Sequence, residues 1–292
     1  MNVCDLNCLG PSRAFQVRPF RETACTKQCR RWLYLLYRMK KIGVFCTLTL
    51  AWTLSGQPVA ESSTNVIEAR DVSWKRLVPN ILDDQKHIWL FPTQVVRGRH
   101  LLPAIGVLGA TAALVVFDPV EARYFRRTTS FHALNTGFSS YATTGEILAV
   151  PVAFYVTGLL TKDSNLQQTA LFAGEALADV EIPTLIMRNS FRRLRPADVP
   201  PGGNFNDTWF DSGANPLKAK GSFPSGHAAA AFAVATVVAR RYPHRRWVPY
   251  VAYGAAALIS FSRMTDQAHF SSDVFFGGAL GYAVGRFGVL HQ

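Results

Sequence analysis

Residues 224–240, PSGHAAAAFAVATVVAR, join a Pro-Ser-Gly start to an uninterrupted Ala/Val-rich run. Serine before such a run is a preferred helix N-cap, so the pattern predicts a helix over 226–240. Five further apolar segments have a length and an Ala/Leu/Gly content that favour helices over strands. They cover 101–117, 143–160, 167–187, 247–263 and 273–289. The chain is therefore predicted to be all-α, a bundle of about six helices.

The beginning of the chain has a different composition from the rest. All five cysteines lie before residue 60, and Met39-Lys40-Lys41 precedes a short apolar run and a small-residue exit. This pattern is typical of a secretory signal. We therefore expect an upstream extension outside the mature protein, a signal peptide or uncleaved anchor, an amphipathic lead-in and a helical-bundle domain. These segments are 1–38, 39–60, 61–100 and 101–292.

The formal charge of +12 does not indicate a nucleic-acid partner, because more than half of it lies in the first 41 residues. The local basic clusters that remain suit an anionic substrate or lipid headgroups. Glu175 and Asp179 argue against a membrane span over 167–187, since a carboxylate at the bilayer centre costs about 2.5–3.5 kcal/mol. The basic stretch 240–246 between two apolar runs is typical of a positive-inside loop. An integral form and a soluble or peripheral form both stay open. We expect an exported protein of a bacterial-type cell envelope with an outward-facing site.

Three polar clusters lie at the ends of predicted helices. Neighbouring helices of an up-and-down bundle alternate in direction, so these ends are expected to meet at one pole. The clustered residues are Arg188 and Arg195 after the third helix, Ser225, Gly226 and His227 at the start of the fourth, and Arg263, His269 and Asp273 between the fifth and the sixth.

The residue types at this pole suit a tetrahedral oxyanion. Three guanidiniums offer permanently charged, forked donors to phosphate oxygens, and a helix N-terminus adds backbone N–H groups. Asp273 can accept a hydrogen bond from His269 and leave the other ring nitrogen free for attack on phosphorus. Either histidine is available as nucleophile or as general acid. No metal or other cofactor is needed, because phosphoryl transfer depends mainly on positioning and charge stabilisation. Arg192 and Arg193, in the same turn as the clustered arginines, are typical of cations at a helix C-terminus.

The clusters resemble the signature of the type 2 phosphatidic acid phosphatase and vanadium haloperoxidase superfamily. That signature reads Lys-x6-Arg-Pro, then Pro-Ser-Gly-His, then Ser-Arg-x5-His-x3-Asp. The second and third blocks match at every defined position, whereas Arg188 stands where the family has lysine. The resemblance implies a phosphohistidine on His269 and an acid role for His227. It also implies phosphate contacts from Arg188, Arg195, Ser225, Gly226 and Arg263.

The resulting hypothesis is a phosphatase that hydrolyses phosphomonoesters or diphosphates, of lipids in particular. A vanadium-dependent haloperoxidase and a helical membrane protein without catalysis are the alternatives, and the oligomeric state stays open. Residues 197–223 are too long for a simple connection and are predicted to form a functional loop or lid. The aromatic residues of this region suit either a lipid tail or packing of the lid. They are Phe205, Trp209, Phe210 and Phe223.

Overall fold

The structure is a computed structural model that describes residues 72–210 and 221–290. The expected extension (1–38) and signal or anchor (39–60) lie outside these residues. The described part contains α-helices, a short 3-10 turn at Pro196–Asp198 and a π-helical end at Val284–Val289, without strands. The helices are α1 Leu77–Val96, α2 Leu101–Arg127, α3 His132–Gly137, α4 Ser140–Thr161, α5 Ser164–Phe191, α6 Gly226–Arg241, α7 Trp247–Thr265 and α8 Ser271–Ala283.

The all-α prediction is confirmed, and each of the six predicted helices is present. The described residues add two helices: α1, within the lead-in, and the short α3. The larger difference is in α2, which continues ten residues beyond the predicted end at 117. The added part contains Asp118 and Glu121, whose side chains are both buried and bonded within the protein. The continuation of α2 carries them to the site.

The Ala-rich α6 lies in the middle of the bundle, against α5, α7 and α8. Eleven of its 16 residues are buried. A helix that is apolar on all sides is stable only when other helices surround it. Its small side chains let those neighbours approach closely, so α6 acts as the axis around which the other helices are placed.

Three glycines, each four residues apart, bring α8 and the π-helical end that follows it against α6. A Cβ added at Gly277 would lie 2.5 Å from the carbonyl oxygen of Ser225, and one at Gly285 would lie 3.0 Å from that of Ala233. A Cβ at Gly281 would collide with the carbonyl oxygen of Ala229. Small residues at this spacing permit close backbone contact between helices. The contact sets the beginning of α8 beside the beginning of α6.

We expect Gly281→Ala to destabilise the bundle, because the new methyl group meets rigid backbone. Overpacking of this kind costs about 1–3 kcal/mol. The midpoint of thermal unfolding measures the effect. Gly254→Ala is the matched control, since Gly254 also lies within a helix but has no atom within 4 Å of an added Cβ. Equal midpoints for the two variants would contradict the close contact between α6 and α8.

Within residues 72–210 and 221–290, two helices, α2 and α4, are long and apolar enough to cross a membrane by length and composition. Only 11% of the apolar window of α2 and 33% of that of α4 is buried within the protein. Large apolar side chains such as Leu102, Val116 and Leu160 are therefore exposed on their surfaces.

The interior face of α1 is polar rather than apolar. Asn80 donates to Glu175 Oε1 and Gln85 donates to Asp179 Oδ1, each at 2.9 Å, whereas Val78 and Leu82 of α1 are exposed. Glu175 and Asp179 thus face protein. Their presence in α5 is no argument against a membrane around the bundle, since buried and bonded carboxylates do not meet lipid.

Candidate active site

The predicted clusters meet at one end of the bundle, here called the site pole. Arg188 Nε donates to the carbonyl oxygen of Pro224 at 3.0 Å, which joins the end of α5 to the start of α6. Ser225 N–H donates to the carbonyl oxygen of Asp273 at 3.0 Å, which joins α6 to α8. The backbone carbonyl oxygen of Arg263, at the end of α7, accepts the His269 N–H at 3.2 Å. The ends of α5 and α7 and the starts of α6 and α8 are therefore joined by hydrogen bonds at the site pole.

His269 is buried and held through one ring nitrogen. Its Nδ1 lies 2.7 Å from the carbonyl oxygen of Ser222. A carbonyl oxygen can only accept, so Nδ1 carries the proton and Nε2 is the nitrogen with the free lone pair. Asp273 Oδ2 lies 3.7 Å from the same nitrogen, and its contact with the imidazole raises the pKa of His269. The carbonyl of Ser222 and the carboxylate both favour the tautomer with the proton on Nδ1, and the orienting role of Asp273 stays a prediction.

The electrostatic environment keeps His269 uncharged. Burial lowers its pKa to about 4, and the positive charges of Arg188 and Arg195 act in the same direction. Asp273 opposes them without restoring the ordinary value. At neutral pH the imidazole is therefore in the form that can attack an electrophile.

His227 contacts α4, a helix that the sequence patterns did not connect with the site. Its Nε2 lies 3.1 Å from the hydroxyl of Thr144 and 3.3 Å from the carbonyl oxygen of Ser140. The pKa of His227 is lowered to about 4. Burial is the largest cause, and the charges of Arg263 and His269 lower it further. The first turn of α4 thus covers one side of the site pole.

Arg263 presents a donor that is suited to an oxyanion. Its side chain is fully buried, and Nη1 donates to Ser140 Oγ at 3.2 Å with Asp266 Oδ2 3.8 Å away. Nη2 is buried and has no hydrogen-bond partner among residues 72–210 and 221–290. A buried donor without a partner is costly, and a phosphate oxygen is the kind of acceptor that a guanidinium binds best.

The start of α6 offers fewer donors than expected. Ser225 caps the helix through its hydroxyl, which accepts from Ala228 N–H, and its own N–H is bonded to Asp273. The Ser225 N–H is therefore engaged within the protein, and the expected phosphate contact of Ser225 stays a prediction. The N–H groups of Gly226 and His227, the first two residues of α6, have no hydrogen-bond partner in the described part of the chain. Such first-turn N–H groups have no partner within the helix and are available to a ligand at its N-terminus.

Arg188 and Gly226 are in close contact. An added Cβ at Gly226 would lie 2.9 Å from Arg188 Nη2, so only glycine leaves space for this guanidinium. Arg195 forms no side-chain hydrogen bond with the described residues, but its charge acts on both Arg188 and His269. The three predicted guanidiniums thus surround the histidines.

Arg193 is the main residue that sequence patterns missed. It is 2% exposed, and its fork joins two carboxylates: Nη1 donates to Asp273 Oδ1 at 2.6 Å and Nη2 donates to Asp118 Oδ2 at 2.7 Å. The guanidinium lies between the rings of Trp209 and Phe270, at 4.3 and 4.0 Å from their centroids. Among several neighbouring arginines, no local pattern marks this one as buried.

The end of α2 caps α8, the helix that carries Asp273. Asp118 Oδ1 accepts from Ser272 N–H at 3.1 Å, and Glu121 Oε2 accepts from Ser271 N–H at 3.0 Å. Carboxylates at a helix N-terminus bind its free N–H groups and interact favourably with its dipole. α2 thereby holds the start of α8 in place.

The aromatic residues of the predicted lid mostly pack against one another. Trp209 and Phe223 have ring centroids 5.3 Å apart, and Phe205 packs edge-to-face on Phe270. Phe210 differs, since it is 61% exposed. Packing is therefore the role of three of these four residues. Residues 211–220, the middle of the predicted lid, lie outside the described part.

Comparisons with known proteins agree with the motif. Residues 169–291 match the PAP2 superfamily. The lipid A 1-phosphatase of Porphyromonas gingivalis is 41% identical over 71 residues, which are 24% of this chain and 16% of that protein. The chain thus matches about a sixth of the length of this curated relative. No solved structure matches the chain. The resemblance drawn from the sequence is confirmed.

Proposed function

Because residues 169–291 carry a PAP2 superfamily domain, we propose that this protein is a phosphatase that cleaves phosphate esters or diphosphates of lipids through His269. The observation that carries the proposal is the bond from His269 Nδ1 to the carbonyl oxygen of Ser222. It leaves Nε2 unprotonated within a ring of guanidiniums. An uncharged nucleophile beside fixed positive charge is the arrangement that phosphoryl transfer requires.

In the proposed mechanism, the phosphate oxygens bind Arg188, Arg195 and Arg263. The lone pair of His269 Nε2 attacks phosphorus, the bond to the leaving oxygen breaks, and His227 donates a proton to that oxygen. Water then attacks the phosphohistidine after giving a proton to His227, and the N–P bond breaks. Inorganic phosphate leaves, and both histidines return to their starting forms. These are the family's roles for the two histidines.

Substrate charge explains how His227 carries a proton although its pKa in the free protein is about 4. Burial and Arg263 favour its neutral form, but a bound phosphate dianion places negative charge beside the same ring. Opposite charge at close range raises the pKa of a histidine. Binding of substrate therefore protonates the general acid.

We expect the acid limb of the pH profile to lie well below the ordinary histidine value of about 6.5. Because the pKa of free His269 is about 4, it stays neutral as the pH falls from 7 to 5 and becomes protonated, and inactive, near pH 4. The measurement is kcat/KM between pH 3.5 and 8, with ionisation of the substrate phosphate determined separately. A fall centred near pH 6.5 after that correction would contradict the electrostatics of the site.

We also expect Gly226→Ala to reduce activity without destabilising the fold. The methyl group meets the end of the Arg188 side chain and no backbone atom. Displacing a phosphate-binding group by about 1 Å can cost up to about 100-fold in rate. Alanine is also a better helix former than glycine by about 1 kcal/mol. Phosphate release and thermal midpoint are measured together, with Gly254→Ala as the control. Wild-type kcat/KM for this variant would exclude the close fit of Arg188.

The direct test of the function is a hydrolysis panel on the purified full-length chain. It comprises phosphatidate, a prenyl diphosphate, a lipid A 1-phosphate and a soluble aryl phosphate, each with and without a chelator. Release of phosphate from the lipids, abolished in His269→Asn, supports the proposal. If the wild type hydrolyses none of the four above the level of that variant, the proposal fails. Halide oxidation with vanadate and peroxide would then favour the haloperoxidase alternative.

The arrangement of α2 and α4 supports a membrane location for the site. α2 ends at the site pole, where Arg126 donates to Val199 O at 2.9 Å, and α4 begins there, where Ser140 contacts Arg263. If these two apolar helices lie in lipid, the site is at the membrane surface, at the depth of a lipid phosphate. A lipid substrate can then reach the guanidiniums without leaving the bilayer.

The outward orientation of the site rests on charge. The helix ends opposite the site pole carry the basic loop 243–246, of which only Arg245 is half-buried, and Arg99 and Lys162 beside the two candidate spans. Arg126 and Arg127 end α2 at the site pole, but Arg126 is bonded to carbonyl oxygens of the protein. Basic residues near spans favour the cytoplasmic side. Ala197→Cys at the site pole and His244→Cys at the other end test this with a membrane-impermeant maleimide on bacterial spheroplasts. Labelling of only the first, above the background of the parent chain, supports an outward site, and labelling of only the second overturns it.

A further inference from the structure

We infer that Asp84 of α1 and Asp179 of α5 hold one proton between their carboxyl groups, and that this shared proton fastens α1 to the bundle. The pair lies outside the site pole, and the inference is independent of the proposed phosphatase activity. It gives a role to buried carboxyl groups that the proposed mechanism does not use.

The register between α1 and α5 sets these two carboxyl groups opposite each other. Asn80 Nδ2 donates to Glu175 Oε1 at 2.9 Å. About one turn further along both helices, Gln85 Nε2 donates to the carbonyl oxygen and to Oδ1 of Asp179, each at 2.9 Å. Residues four apart share one face of a helix, so Asp84 follows Asn80 as Asp179 follows Glu175. The side chains of Asp84 and Asp179 are accordingly in hydrogen-bonding contact.

Such a contact needs a proton. Asp84, Glu175 and Asp179 are each 0% exposed. Gln85 fills Oδ1 of Asp179, whereas Oδ2 is buried and receives no N–H or O–H donor from residues 72–210 and 221–290. Ionised carboxylates only accept hydrogen bonds, and a protonated carboxyl group has one O–H to donate. One proton between Asp84 and Asp179 therefore supplies the donor that two carboxylates lack.

The surroundings of Asp179 favour this proton. The pKa of Asp179 is raised to about 8, with burial as the largest cause. The hydrogen bond from Gln85 opposes the rise, and the charges of Asp84 and Glu175 add to it. Two carboxyl groups that share one site do not both ionise, so the last proton is held far above the ordinary pKa of about 3.9. The pair thus keeps a proton at neutral pH.

The charged groups of α1 and of the elements packed around it are exposed or bonded elsewhere. On α1 and just before it, Lys75, Arg76 and Lys86 are exposed, and Asp83 lies 3.7 Å from His87 on the outer side. The others are Arg286 of the π-helical end over the ring of Phe287, Arg241 of α6 on Asn165 and Gln168, Glu146 of α4 near Arg263, and the carboxylates of α2 and α8 at the site pole. None of these contacts supplies a donor to Asp179 Oδ2.

The shared proton makes the attachment of α1 depend on pH. When α1 separates from α5, both carboxyl groups meet water and ionise near the ordinary value of about 3.9. When α1 is docked, the proton stays up to about pH 8. The docked state binds more protons between these values, so the attachment is strongest below about pH 4 and weakens as the pH rises to about 8. The second half of α1 has a separate contact, because the rings of Phe91 and Phe287 stack with centroids 6.0 Å apart.

The test is hydrogen exchange of α1 in the purified full-length chain between pH 5 and 9.5, followed by mass spectrometry and corrected for the intrinsic rate at each pH. The opening equilibrium constant of residues 77–87 should rise about tenfold per pH unit up to pH 8 and then level off, the slope for one proton. Asp179→Asn and Asp84→Asn should each remove this slope, because an amide donates to the remaining carboxylate at every pH. Asp83→Asn is the matched control, since it removes the same charge from the exposed side of α1 and should keep the slope.

Two results overturn the inference. The first is a wild-type profile without a slope between pH 5 and 8. The second is a slope that persists in Asp84→Asn, because the proton would then belong to Asp179 alone. If Asp179→Asn loses its helical circular dichroism, the wild type and Asp84→Asn still decide: a slope in the wild type that Asp84→Asn lacks supports the shared proton.

Infrared spectroscopy at pH 7 detects the proton directly. The wild type should show the C=O absorption of a protonated carboxyl group that Asp84→Asn and Asp179→Asn both lack, in difference spectra that cancel the other carboxyl groups. Asp83→Asn should leave this absorption unchanged. Equal spectra for the wild type and Asp179→Asn overturn the inference, whether or not the protein hydrolyses any phosphate ester.

Discussion

His269→Asn is expected to lose ester hydrolysis by roughly 10⁴-fold or more, since removal of a nucleophile leaves only binding and charge stabilisation. Asparagine is a better test substitution than alanine, because it removes the nucleophile and keeps a hydrogen-bond donor. Its side-chain amide can still donate to the carbonyl oxygen of Ser222, which is 2.7 Å from Nδ1 in the wild type. Alanine would leave that buried carbonyl unpaired, at a cost of about 1–3 kcal/mol. The thermal midpoint of the asparagine variant should therefore stay close to that of the wild type.

Two measurements check this expectation. Phosphate release gives the loss of turnover, and ³¹P NMR of alkali-quenched wild-type enzyme should show a phosphoramidate that His269→Asn lacks. Vanadate binding, followed by protection against thermal unfolding, should persist in the variant, because the guanidiniums are intact. Turnover within tenfold of the wild type would mean that another group attacks phosphorus, and His227 would become the candidate.

Arg263→Met is expected to reduce kcat/KM by about 100- to 1000-fold, the usual effect of losing one preorganised donor to a developing oxyanion. The reason is the buried Nη2, which has no partner among the described residues and is available to a phosphate oxygen. Arg263→Lys should recover part of the loss, since it restores the charge but not the fork. Both variants should also bind vanadate more weakly.

Arg123→Met is the matched control for this substitution. Arg123 is exposed, and its Nε donates to the carbonyl oxygen of Pro119 within its own helix. Removing it changes the net charge by the same amount without touching the site, so a general electrostatic effect on substrate binding would appear in both variants. Wild-type vanadate affinity in Arg263→Met would remove Arg263 from the phosphate site.

Much of the bundle could be predicted from local patterns. An Ala/Val-rich run such as 226–240 has one stable outcome, since its length and small side chains favour a helix that other helices surround. Alternation of helix direction then brings Arg188, His227 and His269 to one end, whatever the details of packing. The domain limits before residue 72 stay predictions.

The partners of individual groups could not be predicted in this way. Arg193 and Asp118 are 75 residues apart in the sequence. The residues next to Arg193 give no indication that its side chain is buried rather than exposed. The hydrogen bond from the Ser225 N–H to the carbonyl oxygen of Asp273 and the contact of His227 with Thr144 likewise join separate helices. No periodicity records such pairs, because they depend on the angles and distances at which helices pack.

The sequence by itself determined which residues are the candidates for the chemistry and at which end of the bundle they lie. Only the tertiary structure decided how His269 is held: Nδ1 donates to the carbonyl oxygen of Ser222, and Asp273, which is paired with Arg193, lies 3.7 Å from the same nitrogen. The physical reason is the different range of the two kinds of information. Helix formation and chain direction follow from neighbours along the chain, whereas a hydrogen bond is made or lost within about half an ångström, which depends on packing across the whole bundle.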